Sequence, residues 1–454
     1  MSAGSTKIRG ALRRAKGLVI TTGYRVWRRL PLRARLGLKK IAGKLPAGVL
    51  GKLQRSTGMQ VPDKAKPKPT FTDAELVAAS ARPEILAGSP GQPGAARVYV
   101  GPIDRAGQAA ALAAALQSSG VAVHTVQHGE QDTHGLPVDR KISAAVAQVS
   151  DEWQRAELDW VAANFTHVLS VGGHALFGEL FTRYAALVEA DLLRGYGVRT
   201  GFFLSDGVRL AETDRRDNPH SAFSGSVALR SQRAEEQAQR LARQLQDLDV
   251  PVFVETTDLL GGLPGAHWLP AAIPADVVIP TDAGASMEAA APEAEVPASK
   301  VHVVQLWVSD ARSGQREVAA KLEQLAKDGT ITYEQVNQQH LDRLREVVRL
   351  GTVVVDDLQL GTYSVAAAHA LSRGAALVSN ISELNQNRIQ AVTGVPVPAV
   401  LANPLTAVEE IRDLIGGEQR RAELGAAAHQ YAAAVHSGEL SAQVLSRHLL
   451  GQQD

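Results

Sequence analysis

The chain has 454 residues, 45% of them hydrophobic and 21% charged, with no cysteine and a net charge of +1. That length predicts two or three folded domains, and the composition excludes a disordered or membrane-spanning chain. The missing cysteines exclude disulfides, thiolate metal sites and a cysteine nucleophile, and they fit a cytoplasmic setting. The start MSAGSTKIRG leads into charge-broken sequence rather than an apolar signal region, so neither secretion nor spanning is expected.

The small net charge hides an asymmetry. Residues 1–70 hold 18 Lys and Arg against a single acid, Asp63, a net of +17, whereas the rest of the chain holds 30 basic and 46 acidic residues. Ile8, Leu12, Ala15 and Val19 fall on one helical stripe with Arg9, Arg13, Arg14 and Lys16 around it, and Pro31 ends the run. A second run sets Leu36, Ile41 and Leu45 among Arg33, Arg35, Lys39, Lys40 and Lys44, with Tyr24 and Trp27 adding amphipathic rings. Arg-rich helices with Trp and Leu on the other face suit an anionic lipid surface, so residues 1–60 are expected to bind the membrane peripherally. A solvated basic helix and a phosphate-backbone arm are the alternatives, and the absence of a stacking platform or a nucleic-acid module in the body argues against nucleic acid. KAKPKPTF (64–71) reads as a linker.

From Arg97 strands and helices alternate. RVYVGP (97–102) is a strand, followed by an Ala-rich helix over about 105–118, the strand VAVHTV (121–126) and the strand-like KISAAVAQ (141–148). Ser150 is placed to cap a helix through DEWQRAELDWVAANF. HVLSV (167–171) and TGFFLS (200–205) bracket another helix, and a charged helix over 230–247 feeds PVFVET (251–256). The Ala/Glu/Pro-rich stretch 281–299 has little to bury and reads as a linker. Beyond it come KVHVVQLWV (300–308), a helix over 314–327, TITYEQV (330–336), a helix over 338–349, TVVVDD (352–357), a helix over 364–373 and AALVSN (375–380). This alternation predicts an α/β fold of two mainly parallel, Rossmann-like lobes: 71–280 and 300–404, with C-terminal helices over 405–454. Ligands in such sheets bind beyond the C-terminal strand ends, here between the lobes.

VVVDDLQLGTYSVAAAHALSRGAALVSN (353–380) resembles the nucleotide-sugar-binding strand–loop–helix of retaining B-type glycosyltransferases. Asp356 or Asp357, Gly361, Tyr363, Ala370 and Gly374 match its pattern. GPIDRAGQAAA (101–111), ANFTHVLSV (163–171), HSAF (220–223) and PVFVETTDLLGGLPGAHWLP (251–270) are similar to segments of actinobacterial envelope-polysaccharide transferases. The resemblance implies transfer of a sugar from a nucleotide diphosphate donor to an envelope glycan or lipid-linked acceptor at the cytoplasmic membrane face, without a cofactor or metal. The sequence also departs from the pattern: His369 replaces the glutamate of the sugar-binding helix, Ser364 a glycine, Ala376 a proline, and Ser313 follows Arg312 where a glycine is usual. These departures leave open a non-catalytic partner or scaffold of an active transferase.

The candidate nucleotide-sugar residues are therefore Arg312, Gly361, Tyr363, Ser364 and His369, with the helix end and Arg312 offering N–H groups and positive charge to a diphosphate. On the acceptor side stand Gly107 and Gln108 at a strand end, with Asp206 and Arg209 after TGFFLS. His128 is the candidate general base, its alternative being a satisfied loop histidine. His124, His128 and His134 lack metal-ligand spacing, GYGVRTG (195–201) lies before a strand rather than between strand and helix, and there is no P-loop and no nucleophile elbow.

Overall fold

A computed structural model describes residues 69–83, 95–104, 106–129, 136–178, 180, 185–205, 210–221, 223, 228–263, 265–273, 300–307 and 313–452. The basic arm, the 281–299 linker, His134, Asp206, Arg209 and Arg312 lie outside the described residues.

The first lobe is a seven-stranded sheet in the order β3-β2-β1-β4-β5-β6-β7. Its strands are β1 (Arg97–Gly101), β2 (Ala122–His128), β3 (Arg140–Ile142), β4 (His167–Val171), β5 (Arg199–Leu204), β6 (Val252–Val254) and β7 (His267–Trp268). Every pairing is parallel. Such a sheet must be covered on both faces, which is why Val98, Tyr99, Val168, Leu169, Phe202 and Phe253 are all buried regardless of alternation. The helix Asp151–Asn164 is capped as its sequence predicts, with the Ser150 hydroxyl accepting from the Trp153 amide at 3.2 Å. KISAAVAQ differs from expectation. Only Arg140–Ile142 pairs as a strand, and Ala144–Val149 turns into a helix that buries Val146 and Ala147. Its alanines favour helix, and their small apolar side chains resemble a strand only by composition.

A buried charge cluster ties the leading helix Asp73–Ser80 to this lobe. Glu157 accepts from Arg140 at 2.6 and 3.1 Å, from Arg82 at 3.0 Å and from the Tyr99 hydroxyl at 2.9 Å. Arg140 and the Trp153 indole both donate to the Ala79 carbonyl at the helix end.

The second lobe is a five-stranded sheet in the order β12-β11-β10-β8-β9, again wholly parallel. Its strands are β8 (Val301–Trp307), β9 (Ile331–Asn337), β10 (Val353–Val355), β11 (Ala376–Ser379) and β12 (Ala399–Leu401). β1 and β10 thus belong to separate sheets, and the chain is an α/β protein of two Rossmann-like lobes. In the second sheet the strand order reverses between β8 and β10, and in the first between β1 and β4, so each lobe has a crevice at a defined strand end.

The C-terminal helices span both lobes. Ala407–Gly416 and Glu418–Val435 bury Ile411, Ala428 and Ala432 with the second lobe. Glu439–Leu445 and the π-turn Ser446–Leu450 set Ala442, Leu445 and Leu449 against Leu112, Leu169 and Phe253 of the first. No helix among the described residues is long and apolar enough to cross a membrane.

Candidate functional site

β10 is an unbroken valine run buried on both faces, and the chain leaves it at Asp356. The Asp356 carboxylate is wholly buried. It accepts from the Ser364 amide at 2.9 Å, the Ser364 hydroxyl at 2.7 Å and the Ser379 hydroxyl at 3.3 Å. Burial pushes its pKa up to about 6, against the opposing pull of the Ser364 bonds. Ser364 is at the same time the cap of the helix Val365–Ser372, accepting from the Ala367 amide at 3.1 Å. A serine in place of glycine therefore closes the turn on itself: its N–H and O–H point at Asp356 rather than into the crevice.

Between them the backbone reverses at Gly361, whose φ of +81° favours glycine. Its carbonyl accepts from the Ser382 amide at 3.0 Å and the Asn385 side chain at 2.9 Å, which fixes the turn against the helix Glu383–Thr393. Behind the turn, Tyr333 donates to Gln305, Gln305 to Gln315 at 2.6 Å, and Gln315 to the Asp356 carbonyl at 3.2 Å. This polar chain runs from β9 across β8 to the end of β10.

A small pocket of about 10 Å³ lies between the lobes, lined by Glu255, Thr257 and Trp268 of the first and by Thr362, Tyr363, Ser364 and His436 on the other side. Its hydroxyls are paired across the junction, Thr257 with Thr362 at 3.0 Å. Tyr363 is buried beside it, its hydroxyl 3.1 Å from His436 Nε2 and 3.2 Å from the Tyr431 hydroxyl. His436 Nδ1 lies 2.8 Å from the Ala271 carbonyl, which can only accept, so Nδ1 carries the proton and Nε2 accepts from Tyr363. Burial lowers the His436 pKa to about 4 and raises that of Tyr363 far above its usual value, so both groups are neutral near pH 7.

The sequence candidates are distributed unevenly around this cavity. Tyr363 and Ser364 line it, with Gly361 in the same turn. His369 is one turn further along the helix, buried and outside the lining. Gln108 is no cleft residue: both ends of its buried amide engage the backbone of Ala272, donating at 3.3 Å and accepting at 2.9 Å. Gly107 is the buried, left-handed residue that starts the helix Gln108–Ser118. His128 ends β2, four strands from β6, or roughly 19 Å at ordinary strand spacing. Its ring meets Trp153 edge-on and burial drops its pKa to about 3, too weak for a general base at neutral pH. It is a packed histidine.

Sequence reasoning missed Asn218, His220, Thr257, Thr362, Arg388 and His436. Asn218 ends the helix Ala211–Asp217 and reaches into the second lobe, donating to the Gln359 carbonyl at 3.2 Å and accepting from Asn380 at 3.0 Å. Gln359 answers by donating to the His220 carbonyl at 3.2 Å. Arg388 donates to the Thr257 carbonyl and to Asn385, each at 3.1 Å. The HSAF segment is the one local signal near Asn218, and nothing in the sequence around His436 marks it.

No family model matches the sequence, and no curated protein does. Solved structures are similar in outline. A glycosyltransferase from Rickettsia africae is 8% identical over 79% of this chain and 99% of its own, with a TM-score of 0.48. HepE of Anabaena, solved with UDP, is 10% identical over 79% of this chain and 100% of its own, TM-score 0.46. A sucrose-phosphate synthase from Thermosynechococcus elongatus is 12% identical over 78% and 99%, TM-score 0.46. By its own topology, two wholly parallel helix-covered sheets with a C-terminal crossing back to the first, the chain has an α/β architecture consistent with the B-type glycosyltransferase fold.

Proposed function

We propose that the chain is a glycosyltransferase that takes a sugar from a nucleotide diphosphate donor and passes it to an envelope glycan or lipid-linked acceptor at the cytoplasmic membrane face. The observation that carries this reading is the turn Gly361–Ser364. It heads a helix at the C-terminal end of a parallel strand and borders a cavity that both lobes line. Arg312, five residues beyond β8, is the proposed phosphate cation, and residues 1–60 are the proposed anchor to anionic lipid. The organisation that goes with it is an arm and linker over 1–70, an acceptor lobe over 71–280, a linker over 281–299, a donor lobe over 300–404 and C-terminal helices over 405–454.

Calorimetric titration of the full chain with a panel of nucleotides and nucleotide sugars tests the donor site. At least one nucleoside diphosphate sugar is expected to bind. Arg312→Ala is expected to weaken it roughly ten- to a hundredfold, the loss of one charge-assisted hydrogen bond. A folded chain that binds no member at millimolar concentration overturns the reading. Deleting 1–60 is expected to abolish sedimentation with anionic vesicles, and equal sedimentation of the truncated chain removes the anchor.

A second reading, a non-catalytic partner of an active transferase, is favoured by one observation: the amide N–H and hydroxyl of Ser364 are spent on Asp356. Donor binding without transfer to membrane-extracted acceptors selects it, and His369→Glu then tests whether the missing glutamate silenced the site.

A further inference from the structure

Among the described residues the lobes touch in two adjoining zones, which meet at the pocket lined by Thr257, Thr362 and His436. In the first, the Ile273 amide donates to the His436 carbonyl at 2.7 Å, His436 to the Ala271 carbonyl at 2.8 Å, and the Ser441 hydroxyl to the Pro270 carbonyl at 2.7 Å. The returning chain crosses here, so this zone can rotate but cannot part. The second zone holds no covalent crossing among the described residues. Asn218 grips Gln359 and Asn380, Gln359 grips His220, and Thr257 meets Thr362 and Arg388.

Asn218 is built for this grip. The helix Ala211–Asp217 ends on it, its own amide donating to the Asp214 carbonyl at 2.8 Å. Its Oδ1 also accepts from the His220 amide at 3.1 Å, and its carbonyl from the Ser221 amide at 2.9 Å. Ser221 is anchored in turn by its bond to Asp214 and by the Phe223 amide at 3.0 Å. The side chain is thus held out by its own loop before it meets the other lobe. It lies against Gly361 so closely that a Cβ on that glycine would stand 3.0 Å from the Asn218 amide nitrogen. Gln359 Oε1 is buried without a hydrogen-bond partner among the described residues, a cost that the closed arrangement accepts.

We propose that Asn218 is an interlobe latch: its carboxamide sits on the Gly361 turn in the place of an external ligand, and the crevice at the end of β10 opens only when this amide lets go. The first contact zone serves as the hinge. That the displaced ligand carries a diphosphate rests on the function proposed above; the latch itself does not.

The test uses the full chain and Asn218→Ala, with Gln359→Ala as a second variant that keeps the Asn218 bond to the Gln359 backbone carbonyl but removes the neighbouring interlobe bond from the Gln359 side chain to the His220 carbonyl. Backbone hydrogen exchange is followed at the Leu360 and Ser382 amides, which bond within the turn, and at Ile273 in the hinge. Asn218→Ala, which loses two interlobe hydrogen bonds, is expected to speed exchange at Leu360 and Ser382 about tenfold or more, Gln359→Ala, which loses one, to speed it less, and both to leave Ile273 unchanged. Unchanged exchange at the turn in both variants overturns the latch. So does acceleration of all three amides together, which signals general loosening. Titration with UDP, GDP and ADP then separates the two proposals. Tighter binding to Asn218→Ala than to the parent chain supports an occluding latch, and weaker binding makes Asn218 a ligand contact and overturns it. If exchange at the turn accelerates selectively and neither form binds any nucleotide, the latch stands and the nucleotide reading falls.

Discussion

Asn218 and Gly361, 143 positions apart, meet where the two lobes close: the asparagine carboxamide donates to the Gln359 carbonyl beside a glycine on which a methyl group would stand only 3.0 Å from the carboxamide nitrogen. Gly361→Ala should therefore suffer twice, from a left-handed φ of +81° and from the 3.0 Å approach. A loss of about 1–3 kcal/mol in denaturant unfolding is expected. The double variant with Asn218→Ala should recover the steric part alone, so the cycle reads the contact and the backbone strain separately.

His436 gives the hinge a pH dependence. Its pKa falls from an ordinary 6.5 to about 4 on folding, because burial disfavours the imidazolium. Between those values the unfolded chain binds the proton and the folded chain does not, so stability rises as pH climbs from about 4 to about 6.5 and is level above. Relative to His436→Gln, which keeps a donor for Ala271 but takes no charge, the parent chain should gain about 2 kcal/mol between pH 5 and 7.5. Parallel stability curves for the two proteins would remove His436 from the account.

Glu189 has the opposite sign. It is wholly buried, accepts from the Leu176 amide at 2.7 Å and the Phe177 amide at 3.0 Å, and burial raises its pKa to about 8. The folded chain holds a proton that the unfolded chain releases from about pH 4.5, so this contribution is fully present below that pH and lost as pH rises towards 8. Chemical denaturation across this window should show a decline that Glu189→Gln lacks.

Glu157 answers three donors at once, and removing it strands two guanidinium groups. Glu157→Ala should cost about 3–5 kcal/mol. Because Arg140 and Trp153 share the Ala79 carbonyl, limited proteolysis should cut near Asp73–Ser80 earlier than in the parent chain.

Much of the fold was legible in local chemistry. Runs such as HVLSV and TVVVDD can only be buried strands, Ser150 before two acids can only start a helix, and their alternation imposes parallel pairing. The same local reading located the turn at Gly361–Ser364, because a glycine and a capping residue between strand and helix are features of one short segment. It misread KISAAVAQ, where apolar composition without periodicity fits two structures, and it misplaced Gln108 and His128, whose roles depend on what packs over them. The junction was invisible in the sequence. Asn218, Thr257, Gln359 and His436 acquire meaning only when the lobes meet, since each pairs with a residue more than 100 positions away. Strand and helix are fixed by neighbours along the chain, and whether a strand-end crevice is open or gripped is decided by contacts that only tertiary packing brings within hydrogen-bond reach.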